Sequence, residues 1–396
     1  MSNAAPQRLD LDTVLDDPAT RIIVCCGAGG VGKTTSAAAL GLRAAERGRR
    51  VVVLTIDPAR RLAQSMGLVE LDNIPRAVSG VDESSGGRLH AMMLDMKRTF
   101  DQVVESHSTP DKAAQILANP FYQSLSSTFA GTQEYMAMER LGQLRAESDA
   151  AGPDAKWDLI IVDTPPSRSA LDFLDAPERL ASFLDGRFMK LLLAPARGPA
   201  RLMTAGFGMV TNAVTKLIGA QVLQDMKAFV AAFDTLFGGF RQRAQRTFEL
   251  LQDSRTAFLV VAAPEPDALR EAAYFVERLR QEGMPLAGMV VNRASTSPEV
   301  DLSANAAMAG VEKLRSSGED HGLAAGLLRL HADRKVVVER EKRLTGRFAT
   351  SHPDVPTAVL PALSTDVHDL DGLRRIGDLL GAQVETRVDK QVDAHD

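Results

Sequence analysis

Residues 27–35 read Gly27-Ala-Gly-Gly-Val-Gly-Lys-Thr-Thr35. They fit the spacing G-x-x-x-x-G-K-[ST], with Gly27, Gly32, Lys33 and Thr34 at the defining positions. The residue types explain the spacing. Glycines (Gly27, Gly29, Gly30 and Gly32) let successive backbone N–H groups converge on phosphate oxygens with no side chain in the way. Val31 and Thr35 belong to the same backbone cradle. Lys33 offers an ammonium to the β- and γ-phosphates, and the Thr34 hydroxyl suits Mg2+. A helix beginning at the end of this loop would turn its positive pole to the same charge. The ligand implied is a nucleoside triphosphate.

The flanking residues supply the elements such a loop needs. Arg21-Ile-Ile-Val-Cys-Cys26 is a short apolar run suited to a buried parallel strand. Residues 33–47 are rich in helix formers and stop at Gly48. Further strand-like runs occur near 51–56, 88–95, 158–162, 257–262, 286–291 and 357–361, with helical stretches between them. Strands alternating with helices imply an α/β fold with a doubly wound, mostly parallel sheet.

A phosphate loop also needs an acid near the metal and a means of placing the attacking water. Asp163 ends the run Leu159-Ile-Ile-Val162, where a metal-side acid is expected, in contact with Mg2+ directly or through water. Asp57 ends the run Val51–Ile56 and could orient water at the γ-phosphate, giving it a catalytic role beside Lys33. Each aspartate stands before or near proline at a strand-to-helix turn, so each also suits a helix N-cap. The two roles are compatible.

The whole sequence has 396 residues, 45% hydrophobic and 24% charged, with a formal net charge of −5. That charge argues against general affinity for nucleic acid or anionic membrane. No apolar run is long enough to span a bilayer, and Met1–Asp10 has no apolar signal core. A cytoplasmic location is expected. The two cysteines, Cys25 and Cys26, are neighbours on a strand and face opposite sides. They read as small buried hydrophobes, not as zinc ligands or a disulfide.

The expected organisation is an N-terminal extension over 1–20, one ATPase domain over 20–382, and a flexible tail over 384–396. Helical insertions near 97–150, 178–252 and 296–352 form a helical subdomain, with breaks at Thr109-Pro110 and Asn119-Pro120. Within 178–252, Phe207, Val210, Val214, Leu217, Ile218 and Val222 mark one helix face, and Phe229 to Phe240 extend it. Together with Met189, Met203, Met209 and Met226 they suit either internal packing or a pliable groove for a hydrophobic client.

Gly27–Thr35, Asp57-Pro58-Ala59 and Asp163-Thr-Pro-Pro-Ser167, in that order, resemble the arsenical-pump and tail-anchored-protein-targeting ATPases. These anion-transporting ATPases are P-loop NTPases with a deviant Walker A motif. Pro264-Glu-Pro-Asp-Ala-Leu-Arg-Glu-Ala272, Val290-Val-Asn292-Arg293 and Pro361 followed by Asp369-Leu-Asp-Gly-Leu373 are similar to the family's later signatures. The resemblance spans roughly residues 20 to 382. It implies ATP and Mg2+ as cofactors, Asn292 bonded to adenine with Pro361 nearby, and Asp57 and Asp163 on two switch segments. It also implies dimers whose helical insertions form the client or effector region.

The departures from the family are specific. The lysine usual at the second loop position, which crosses a dimer interface to the partner's nucleotide, is replaced by Ala28. The zinc-binding and arsenic-binding cysteines are missing, and Arg168 and Ser169 stand where glycine and histidine are usual. The expected function is a Mg2+-dependent ATPase that couples hydrolysis to movement of the helical region. The alternative is a nucleotide-binding subunit, weakly active alone, of a heterodimer with a lysine-bearing paralogue. It would escort a hydrophobic client or energise a membrane exporter. Homodimer and heterodimer both remain open, and neither zinc nor nucleic acid is expected.

Overall fold

The computed structural model describes residues 7–56, 61–68, 70–120, 122–123, 132–150, 156–165, 242–298, 300–317 and 321–381. Asp57, Arg168, Ser169, the methionines and phenylalanines between 189 and 240, and the 384–396 tail lie outside these residues.

Two compact units are present. The first comprises residues 1–92, 156–170 and 251–396, and the second 93–155 and 171–250. The first holds an eight-stranded sheet: β1 (Ile22–Cys26), β2 (Arg50–Thr55), β3 (Arg76–Ala77), β4 (Arg88–Met93), β5 (Leu159–Asp163), β6 (Thr256–Ala262), β7 (Leu286–Ala294) and β8 (Thr357–Pro361). Their spatial order is β3-β4-β2-β5-β1-β6-β7-β8. The β2/β5, β5/β1, β1/β6, β6/β7 and β7/β8 pairs are parallel, and β3/β4 is antiparallel. Every long run read as a strand in the sequence is one. The two-residue β3 is too short to leave a pattern.

The apolar runs are continuous because both sheet faces are covered. Ile22 to Cys26, Val51 to Leu54, Phe258 to Ala262 and Met289 to Val291 are all buried. Each such aliphatic side chain contributes about 1.5–3 kcal/mol on burial. Helix α1 (Leu11–Asp16) and α2 (Lys33–Glu46) precede β2, and the short α3 (Arg61–Ser65) follows it. The alanine-rich centre of α2 is buried nearly all round, from Ser36 to Ala45. Helix α10 (Leu370–Gly381) packs on α2 and buries Leu373, Ile376 and Leu380.

In the second unit, α4 (Met96–His107), α5 (Pro110–Ala118) and α6 (Thr132–Ala150) are described, with helical residues 242–250. Pro110 opens α5 and Asn119 closes it, where the sequence places the breaks. Polar groups tie this unit together. Tyr122 donates to Asp101 Oδ1 at 2.6 Å, and Arg243 Nε donates to both Glu139 carboxylate oxygens at 3.0 Å. Burial and the neighbouring Asp101 push the Tyr122 phenol up, so it stays protonated.

Between β6 and β7 lies α7 (Pro266–Gln281). Between β7 and β8 come α8 (Ala304–Ser316) and the 30-residue α9 (Gly322–Ser351). These two helices pack on each other.

Candidate functional site

Strand β1 runs between β5 and β6 and releases the chain into the glycine loop at Gly27. Gly27 has φ 145°, and a Cβ there would lie 2.0 Å from the Val261 carbonyl oxygen of β6. The loop is thus laid flush on the neighbouring strand, an approach only glycine permits. Gly32 takes the left-handed conformation (φ 92°) as N-cap of α2, with no side-chain capping bond. Its carbonyl accepts from Ser36 N at 2.9 Å, so the helix starts cleanly. With no side-chain cap, the first-turn N–H groups stand ready for an anion.

Lys33 is 6% exposed, and its Nζ donates to the Ala28 carbonyl at 2.7 Å. The ammonium is therefore folded against its own loop. Thr34 and Thr35 are half-buried in the first turn, and Gly29 and Gly30 are exposed at the loop tip. Beneath the loop, burial raises the Cys25 thiol and pushes Cys26 up to about 12, with the Lys33 charge opposing both shifts. Both cysteines are free, buried thiols.

Asp163 is the last residue of β5 and is fully buried. The parallel register sets it opposite Cys25 of β1 and Thr55 of β2. Thr55 Oγ1 donates to Asp163 Oδ2 at 2.9 Å. The Asp163 carbonyl accepts from Ile56 N at 3.0 Å, and Thr164 Oγ1 donates to Cys25 O at 2.9 Å. The carboxylate is thus held beside the strand from which the lysine loop departs. The described chain after β2 stops at Ile56, one residue short of Asp57.

Asn292 of β7 is buried, and its Nδ2 donates to the Val31 carbonyl at 2.8 Å while Oδ1 accepts from Arg293 N at 2.9 Å. An amide carries two N–H groups and two lone pairs on oxygen, so each end keeps capacity for a base edge. Pro361 ends the adjacent β8, and its register partner is Ala294, two residues past Asn292. The strand ends therefore gather the loop, Asp163 and Asn292 at one edge of the sheet, where open α/β sheets bind ligands.

Two contributors escape sequence reading. Thr55 has only the weak signal of one hydroxyl closing an apolar run. Arg293, which donates to the Gly30 carbonyl at 2.9 Å, has none beyond its place after Asn292.

The sequence signature of the anion-transporting ATPases matches residues 20–313, well over half of the chain. The chain belongs to the anion-transporting ATPase family. The ATPase ASNA1 homolog of Cryptosporidium parvum is 26% identical over 267 residues, covering 67% of this chain and 63% of its own length. The ATPase GET3 of Malassezia globosa is 25% identical over 290 residues, 73% of this chain and 77% of that protein. An ASNA1 homolog of Plasmodium berghei is 21% identical over 388 residues, covering 94% and 89%.

As an anion-transporting ATPase the chain is a P-loop ATP hydrolase, and the eight-stranded sheet with flanking helices is that fold. The matched span stops within α8, so α9 lies beyond it. No helix among the described residues is long and apolar enough to cross a membrane.

Proposed function

We propose that this anion-transporting ATPase hydrolyses ATP with Mg2+ at the Gly27–Thr35 loop and uses the cycle to move its helical region. The observation carrying this reading is the buried Lys33 ammonium drawn onto its own loop at the Ala28 carbonyl, beside a helix start with no side-chain cap. A nucleotide's phosphates replace that carbonyl with charged oxygens, a stronger acceptor for a desolvated cation. Gly27, Gly29, Gly30, Val31, Gly32 and Thr35 would line the phosphates with N–H groups. Asn292 and Pro361 would flank the base.

The residues fit the metal as well. Thr34 would bring a hydroxyl and Asp163 a carboxylate already oriented by Thr55. When bound there, Mg2+ would supply Lewis acidity toward the phosphoryl oxygens. Asp57, directly after Ile56, would orient the water, and Lys33 would hold the phosphoryl charge as it shifts.

The test is Mg2+-dependent phosphate release by the purified chain, beside calorimetric nucleotide titration. Asp57→Asn should keep nucleotide binding and lose most turnover, whereas equal loss of both would move Asp57 out of the catalytic role. Amide exchange in ADP and in a non-hydrolysable ATP analogue should differ over 178–252. Identical protection there would make its apolar residues static packing and remove the client groove.

A second reading has its own observation, Ala28. A cation supplied across a dimer interface is worth roughly 10³–10⁵ in rate, and a homodimer of this chain forgoes it unless another residue serves. A heterodimer with a lysine-bearing paralogue would recover it, with a hydrophobic client or a membrane exporter as its object. Ala28→Lys decides. A large gain in turnover supports the missing cation, and brisk turnover without gain removes the heterodimer argument.

A further inference from the structure

Strand β7 carries one residue more than β8 at its end. Val291 pairs with Val359 and Ala294 with Pro361, so three steps on β7 match two on β8. The extra residue falls at Asn292–Arg293, a bulge that re-aims side chains. Arg293 has φ 60°, and it is the one non-glycine residue with positive φ among the described residues. The left-handed region disfavours a side-chain-bearing residue, and its persistence at a site points to a use.

The bulge sets two adjacent side chains on two consecutive loop carbonyls. Arg293 Nη1 donates to Gly30 O at 2.9 Å and Asn292 Nδ2 to Val31 O at 2.8 Å. In a planar trans peptide the carbonyl and the following N–H point in opposite directions. Fixing Gly30 O therefore turns the Val31 N–H away from Arg293, and fixing Val31 O turns the Gly32 N–H away from Asn292. Gly30 and Gly32, both at positive φ, are the residues whose peptides would flip most freely without such a hold.

We infer that Arg293 is a positioning residue for phosphate binding: through Gly30 it pre-orients loop N–H donors toward the anion and does not itself touch it. This rests on the phosphate-loop reading above. An arginine fits the task because a charged donor binds a carbonyl more strongly than a neutral one. Glycine would suit the backbone better, so the arginine is present in spite of its conformation.

That conflict gives the test two signals of opposite sign. Arg293→Gly removes the guanidinium and relieves the left-handed backbone, so thermal stability should hold or rise. Over the same change, the Kd for Mg-ADP and for inorganic pyrophosphate should rise about tenfold, the size of a lost charge-assisted hydrogen bond. Arg293→Lys, which keeps a cation, should recover part of the affinity. The KM for ATP should rise more than kcat falls, since the donors serve ground and transition states alike.

Unchanged affinity in Arg293→Gly would overturn the inference. So would weakened Mg-ADP with unchanged pyrophosphate, because Arg293 would then act on the nucleoside. Lys33→Ala separates the two levels: if it abolishes pyrophosphate binding while Arg293→Gly does not weaken it, the positioning role alone falls. If neither variant alters it, the phosphate loop falls with it.

Discussion

Among its described residues the first unit buries the side chains of Lys33 and Arg49 and treats the two cations in opposite ways. Arg49, 9% exposed, gives all five of its N–H groups to oxygens. Nε bonds Asp158 Oδ1, one terminal nitrogen bonds the Leu15 and Asp17 carbonyls, and the other bonds those of Thr20 and Asp158. Lys33, 6% exposed at the other end of the strands, rests on the neutral carbonyl of Ala28. Arg49 faces a carboxylate and a ring of carbonyls that no ligand could better. The Ala28 carbonyl on Lys33 is a neutral acceptor that phosphate oxygens outcompete. Burial alone does not mark a functional charge; the exchangeability of its partners does.

That contrast breaks most sharply at Lys33. Lys33→Ala should cut turnover by roughly 10²–10³, about 3–4 kcal/mol of transition-state stabilisation, with little change in the urea midpoint. Phosphate release beside equilibrium unfolding checks both halves. Wild-type turnover would sink the phosphate-loop assignment.

Arg49→Ala should do the reverse. Four carbonyls lose their donor, while the half-buried Asp158 keeps Arg50; the expected cost is about 1–3 kcal/mol of stability, while the folded fraction keeps its affinity for Mg-ADP. A stable variant with lost affinity would invert the comparison.

A smaller effect sharpens the metal side. Thr55→Val keeps shape but removes the donor to Asp163 Oδ2. The Mg2+ concentration for half-maximal turnover should rise several-fold, since hydrogen bonds to charged groups contribute about 1.5–3 kcal/mol at most. An unchanged Mg2+ requirement would show that Asp163 needs no such support.

The smallest effect concerns His90 on β4, which stacks edge-on against Trp157 with ring centroids 4.6 Å apart. Burial, with help from the Arg88 charge, lowers its pKa below the ordinary 6.5. The unfolded chain therefore binds that proton first as the pH drops. The associated stability is present above pH ~6.5 and is lost as the pH falls below it. His90→Gln should flatten the melting temperature between pH 7 and 5. An equally steep fall in the variant would assign the acid sensitivity elsewhere.

The long strands were legible because covering both faces demands unbroken apolar runs, as in Val51–Leu54 and Leu159–Ile161. The loop was legible because backbone donors impose glycines at fixed intervals around Lys33. Thr55 was not, since its importance comes from register: only pairing β2 with β5 sets it against Asp163. Arg293 was not, since a bulge is a mismatch between two strands 60 and more residues apart in sequence and leaves no local pattern. The placement of Asn292 rested on resemblance, and its bond to Val31 shows a contact to the loop that resemblance did not supply.

The pair Cys25 and Cys26 gives the molecule a built-in clock. They are the only cysteines in the chain, and both are buried in the strand that ends at the loop. A thiol reagent reaches them only when the centre of the sheet opens, because protonation and enclosure together silence them in the closed state. The rate of labelling then times that opening directly, without a fluorophore or an added mutation. Ligands seated on the loop one residue away should slow it in proportion to their occupancy.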